Sequence, residues 1–223
     1  MSTSHIDLFR KSAIAMLMGG ALIGGSASAA TVTFDTLVSG ATSYGYDGDG
    51  DGINDVIFST TDPNGFNTVG PGVNMTYIHE PGIEGTVLLN PDLRVDFLRR
   101  ATGSLSFAYA LDSSVSDAAY FASIRVFDIS GMEIANASQI GDFTVTAPPS
   151  GLSSFPEGEI LLSFAGEAAY ATFDFTSQYG RYIVDDFSGT FGSTERPPLP
   201  EPATIALLGL GLAGIGLSRR RKV

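Results

Sequence analysis

The chain of 223 residues reads as an all-β protein, an antiparallel β-sandwich, on three observations. Between residues 31 and 191, short apolar or alternating segments are set apart by Gly, Pro, Asn and Asp. No segment there keeps the 3.6-residue apolar period of an amphipathic helix, and 15 Phe with the aliphatics are enough to fill a core between two sheets.

In chain order, the first 29 residues have the layout of a secretory signal: Arg10 and Lys11, an apolar run over 13–23, and small residues at Ala27, Ser28 and Ala29. About a dozen apolar residues are too few for a span, which needs roughly 20, so removal near Ala29 or Ala30 is expected. Strands are expected over 31–37, 56–60, 75–79, 86–89, 94–98, 104–111, 121–129, 133–137, 143–146, 159–164, 169–175 and 182–191. Alternation is plain in several: Leu105, Phe107 and Tyr109 share one face, and Ile124 and Val126 oppose Arg125 and Phe127. The run 112–117 reads as a loop between two of them. The sandwich spans 30–193 and a short linker 194–199.

Charge narrows the function. The chain has 12 basic and 24 acidic residues, a net charge of −12, and half of the basic residues lie in the two terminal segments. Residues 30–198 hold 6 Arg, no Lys and 22 acidic residues, a net charge of −16. A nucleic-acid partner is excluded by sign. With no Cys, the fold has no disulfide to rely on after export, and Cys-based chemistry is ruled out. His79 is the one histidine beyond the signal, which removes zinc sites built on several His and most His-dependent hydrolases. It reads as a strand-end residue. No catalytic residue is assigned.

The densest local chemistry is Asp47-Gly48-Asp49-Gly50-Asp51-Gly52-Ile53-Asn54-Asp55. Four carboxylates in nine residues repel one another in a compact turn unless a divalent cation sits among them. Oxygen ligands at positions 1, 3, 5 and 9 (Asp47, Asp49, Asp51 and Asp55), the carbonyl of Ile53 at position 7, and Gly52 at the sharp turn suit calcium. Phe58 occupies the twelfth position, where an EF-hand has its bidentate Glu, and 56–58 reads as a strand. The loop is therefore not an EF-hand. It resembles the Asp-rich loops of thrombospondin type 3 and dockerin-like repeats, in a single copy, and a further ligand must come from Asp62, a distant acid or water.

At the C-terminus, Pro200, Glu201 and Pro202 precede an apolar stretch over 203–217 and a basic end containing Arg219, Arg220 and Arg221. Fifteen residues rise roughly 22 Å as a helix, short for a bilayer core of about 30 Å but within reach of local thinning. The basic end stays cytoplasmic by the positive-inside rule, leaving the acidic body outside. This order resembles the PEP-CTERM sorting signal of Gram-negative bacteria over 200–223. The resemblance implies processing by an exosortase, with Pro200, Glu201 and Pro202 as recognition motif and the three arginines as retention charges. It further implies an inner-membrane intermediate, delivery to the cell surface or the extracellular space, and association with exopolysaccharide.

The body also resembles the jelly-roll ectodomains that often precede this signal, through an opening strand at Thr33–Leu37, a long central strand at Ile124–Asp128 and a closing strand at Tyr182–Phe187. That likeness implies paired first and last strands. A second metal site then follows if Asp35 meets Asp185 or Asp186 across the pair. The resulting expectation is a surface-sorted, calcium-stabilised structural or binding component without a catalytic step. Three alternatives stay open: a carbohydrate-binding module, for which Tyr44, Tyr46, Tyr120 and Tyr179 are the candidate stacking residues; a glycoside hydrolase with two carboxyl groups about 5–10 Å apart in a cleft; and an adhesin that self-associates through an open edge strand.

Overall fold

The computed structural model describes residues 27–69, 74–79, 81–145 and 151–194. Residues 1–26 of the expected signal and the tail with its expected membrane helix lie outside them; residues 27–29, expected at the end of that signal, open the first strand. Among the described residues no helix is long and apolar enough to cross a membrane.

Ten strands build the body: β1 (Ala27–Val32), β2 (Ser43–Tyr46), β3 (Val56–Ser59), β4 (Asn67–Val69), β5 (Gly82–Thr86), β6 (Leu93–Leu111), β7 (Phe121–Phe127), β8 (Glu133–Ile140), β9 (Glu157–Phe175) and β10 (Arg181–Thr194). All described strand pairs are antiparallel, in the order β4-β5-β10-β6-β9-β7-β8. β1 lies beside β10, and β3 joins β2 to β6. The sandwich arises because β6 and β9 belong to both layers. The first part of β6 pairs with β3 and the last part of β9, whereas its second part pairs with β10 and the first part of β9. Register shifts between Asp96 and Ala101 and between Thr102 and Ser104 mark the bend, with Arg100 at φ 68°, Gly103 at φ 78° and, across the ladder, Gly166 at φ 90°. Bulges of this kind re-aim a strand without ending it.

The two layers meet on aromatic rings. Phe58 of β3 and Phe187 of β10 belong to strands that do not pair, yet their rings stand edge to face with centroids 5.2 Å apart. Phe97 and Phe191 stack at 5.8 Å, and Phe107 packs edge-on against Phe173 at 4.9 Å. A second, smaller apolar cluster on the outer face joins Ile78 to Ala108 and Ala110. Glu157, 1% exposed, holds that covering segment down: its carboxylate accepts hydrogen bonds from the amides of Thr76 and Tyr77 and from the Thr144 hydroxyl.

Several strand expectations need correction. The segments 94–98 and 104–111 are one strand, as are 159–164 and 169–175, because the glycines between them sit in bulges and not in turns. Residues 75–79 form a covering segment tied down by a buried carboxylate, not a strand. The strand expected at 86–89 lies at Gly82–Thr86, where Gly82 lets β5 approach β10; a Cβ there would stand 2.7 Å from the Val184 carbonyl oxygen. Of the segment 143–146, the described residues 143–145 contribute an isolated bridge, Val145 to Leu152, and no strand. The first and last strands pair, with Val32 opposite Phe187, but the first strand is Ala27–Val32 and not 31–37: residues 33–37 leave the sheet through a turn.

Asp92 is a pH-sensitive element of this core. It is 2% exposed and accepts hydrogen bonds from the amides of Leu89 and Phe175. Burial outweighs those bonds and pushes its carboxyl up to about 6 from the ordinary 3.8. Between these values the folded chain holds a proton that the unfolded chain has released, so stability falls as pH rises from about 4 to about 6. Asp47 and Asp128 are held low, by the Gly52 amide and the Ser130 hydroxyl first among their hydrogen bonds, and act in the opposite sense only at lower pH. Melting in the presence of a chelator is therefore expected a few degrees higher at pH 5 than at pH 7. Asp92→Asn, able to accept only one of the two amides, should be less stable overall and show a smaller rise; an unchanged rise would exclude Asp92 as its source.

Candidate metal site and terminal sorting motif

The Asp-rich loop connects β2 to β3, which form a hairpin with Tyr46 opposite Val56. Its fold follows from its own carboxylates. Asp47 accepts hydrogen bonds from the amides of Gly50, Asp51 and Gly52, Asp49 from Asp51, and Asp51 from Ile53. Gly50 and Gly52 have φ of 68° and 85°, a backbone that glycine adopts without strain. The turn thus wraps around Asp47, and those amide bonds hold its carboxyl below the ordinary carboxylate range.

Each of Asp47, Asp49 and Asp55 places a carboxylate oxygen within 4.8 Å of the others, close enough to share one ion. Asp55 is the telling member. It is 1% exposed; Oδ2 accepts a hydrogen bond from the Gly48 amide, whereas the buried Oδ1 has no hydrogen-bond partner. The nearest cation is Arg99, whose Nε stands 3.7 Å away. Burial pushes the Asp55 carboxyl up, Asp49 and Asp47 push it further, and the Gly48 amide and Arg99 oppose them. A buried carboxylate with one oxygen lacking a hydrogen bond, within reach of two other carboxylates, matches what a cation-binding loop requires. An all-oxygen set of this kind suits calcium.

The other expected carboxylate ligands are placed differently. Asp51 Oδ2 pairs with Arg99 Nη2 at 2.5 Å and is not in the three-carboxylate group. Arg99 belongs to the bent middle of β6, so this contact is tertiary and has no signature in the loop. Ile53 is exposed, its amide bound to Asp51. Asp62 accepts from the Asn64 amide in its own turn. Of the second trio, Asp35 is exposed and lies beyond the last paired residues of β1 and β10. Asp185 is buried, accepting at Oδ2 from the His79 amide and at Oδ1 from the Asp186 amide. Asp186 faces His79 Nδ1 at 3.2 Å. No three-acid group forms there among the described residues. Of the four candidate stacking tyrosines, Tyr44, Tyr46 and Tyr120 pack against the core, and Tyr179 is exposed.

Pro200, Glu201, Pro202, Arg219, Arg220 and Arg221 lie outside the described residues, and sequence comparison decides their reading. The family model described as the PEP-CTERM protein-sorting motif matches residues 198–222. The chain ends in a PEP-CTERM sorting signal. A PEP-CTERM signal marks an exported, surface-targeted protein handled by an exosortase-type system. No curated protein matches the sequence. Similar solved structures include the K1 cleaved adhesin domain of Lys-gingipain from Porphyromonas gingivalis W83, at 14% identity over 72% of this chain and 96% of that one, TM-score 0.38. Another is a family 29 carbohydrate-binding module, CBM29-2, at 14% identity over 62% and 90% of the two chains, TM-score 0.29. A third contains the CBM22-1 and GH10 modules of Clostridium thermocellum xylanase 10B, at 13% identity over 71% and 27%, TM-score 0.33. Such scores carry no functional argument; the PEP-CTERM match rests on the tail alone.

Proposed function

We propose that this protein is a non-catalytic component of an exopolysaccharide layer, delivered to the surface of a Gram-negative cell by an exosortase and stabilised there by calcium. The PEP-CTERM match at residues 198–222 carries the reading. A leader removed near Ala29, a membrane intermediate held by 203–217 and its basic end, and cleavage near Pro200 complete the route. Calcium supports the body through Asp47, Asp49 and Asp55 in a chain that has no Cys for disulfides.

Alanine at Pro200, Glu201 and Pro202 tests the route in a strain that makes exopolysaccharide. The wild-type chain is expected in the surface and polysaccharide fractions, shortened by the mass of its tail. The variant is expected in the inner membrane with the tail attached. Equal surface fractions for both chains would overturn the exosortase reading.

A further inference from the structure

We propose that a pocket on the outer face of the sheet, where β5, β10 and β6 run side by side, binds one neutral pyranose ring of a polysaccharide. The inference rests on the surface reading above and supplies its ligand. The pocket holds about 230 Å³.

The register explains its composition. Ile183 of β10 stands opposite Glu84 of β5 on one side and Ala110 of β6 on the other. One rung further out, the Arg181 carbonyl accepts a hydrogen bond from the Asp112 amide. Residues two apart share a face, so half-buried Ile183 makes an apolar floor, with Ala110 beneath it buried against Ile78, and Glu84, Arg181 and Asp112 surround it. Phe155 closes the remaining wall and is 37% exposed. It is positioned by the neighbouring Pro156 carbonyl, which accepts from the Leu111 amide.

The polar groups are arranged for recognition. Arg181 Nε donates to Glu84 Oε1, and Asn67 Nδ2 donates to Glu84 Oε2, which together fix the fork. The two terminal nitrogens of Arg181 and the carboxylate of Asp112 make no hydrogen bond among the described residues, leaving planar donors and acceptors at the rim. A sugar ring presents the matching pattern: an apolar C–H face for Phe155 and the floor, and an equator of hydroxyls that both donate and accept.

Size and charge remove competing ligands. The volume lies below the roughly 300–1,000 Å³ of pockets enclosing drug-sized molecules, leaving room for a single ring. Phosphates and uronates are disfavoured because the rim carries two carboxylates against one guanidinium already paired, on a body of net charge −16. One ring per site means weak binding that a repeating polymer strengthens by presenting many copies.

The test passes the full-length chain in calcium-containing buffer over immobilised glucan, mannan, galactan, a polyuronate and a polyamine. Retention by at least one neutral polymer is expected, with loss of about ten-fold in Phe155→Ala and in Arg181→Ala. Both variants should melt within a few degrees of wild type, and Leu161→Ala, exposed on β9, should be retained like wild type. Retention by polyuronate or polyamine alone, or no retention by any neutral polymer, would overturn the pocket assignment. So would undiminished retention of both variants, which would move the glycan contact elsewhere on the body. None of these results bears on the route to the surface, which the tail variant judges separately.

Discussion

Replacing Phe187 with Ala is expected to cost about 3–5 kcal/mol, the range measured for burying a void where a core aromatic stood. Phe187 is fully buried and touches rings from three other strands: Phe58 at 5.2 Å, Phe97 at 6.4 Å and Phe173 at 6.2 Å, besides Phe191 of its own strand at 5.5 Å. These neighbours come from both layers, so no single side chain can move to fill the gap without separating another pair. Domains have about 5–15 kcal/mol of stability in all, and a loss of this size should lower the melting temperature by roughly 6–20 °C at about 2–4 °C per kcal/mol. Leu161→Ala, 71% exposed, should stay within about 0.5 kcal/mol of wild type. Denaturant melts of both variants decide it: a loss below about 1 kcal/mol for Phe187→Ala would mean that the layers do not meet on this ring.

Calcium is expected to raise the melting temperature of the wild-type chain by roughly 5–11 °C over its value in excess chelator. A ligand that binds only the folded state stabilises it by about 2.7 kcal/mol at one hundred times its dissociation constant. The physical source is Asp55: a buried carboxylate with one oxygen lacking a hydrogen bond, repelled by Asp49 and Asp47 and met by Arg99 only at 3.7 Å, gains from a cation bound among the three acids. Asp49→Asn is the informative variant. Its side chain keeps an oxygen for the Asp51 amide, its one side-chain contact with the backbone in the loop, while the ligand charge is lost. Relieved of the repulsion between Asp49 and Asp55, it should melt at or slightly above wild type in chelator and respond little to calcium. Magnesium at the same concentration should stabilise less, because it requires near-ideal octahedral geometry and gives up its water reluctantly. Identical wild-type melts with and without calcium would remove the ion from the proposed function.

Arg99 gives this loop a further dependence on the sheet. Its guanidinium reaches Asp51 at 2.5 Å and Asp55 at 3.7 Å, tying the β2–β3 loop to the bend of β6. Nothing in the nine residues of the loop signals that contact. The bend itself was hidden for a related reason: Arg99, Arg100 and Gly103 interrupt the apolar alternation, as a turn would, and only the continued ladder to β9 shows that the strand runs on. β2 has no alternating signature because Gly45 breaks its pattern; a Cβ there would stand 2.2 Å from the side chain of Asn54, so close packing of the loop accounts for the glycine. The pocket was equally invisible, since Glu84, Ala110, Phe155 and Arg181 are far apart in the chain and meet through strand register.

Local patterns suffice for the all-β class, the central alternating strands and the sorting tail, because each is written in neighbouring residues or in the order of a short segment. The Asp-rich loop was legible as a cluster of charge for the same reason. Which of its carboxylates converge, which one turns to Arg99, and where two carboxylates and a guanidinium surround an apolar floor depend on distances between strands remote in sequence. Those distances are set by the bulges that bend β6 and β9 and by the aromatic rings packed between the layers, a balance of burial and hydrogen bonding that exists only once the chain has folded.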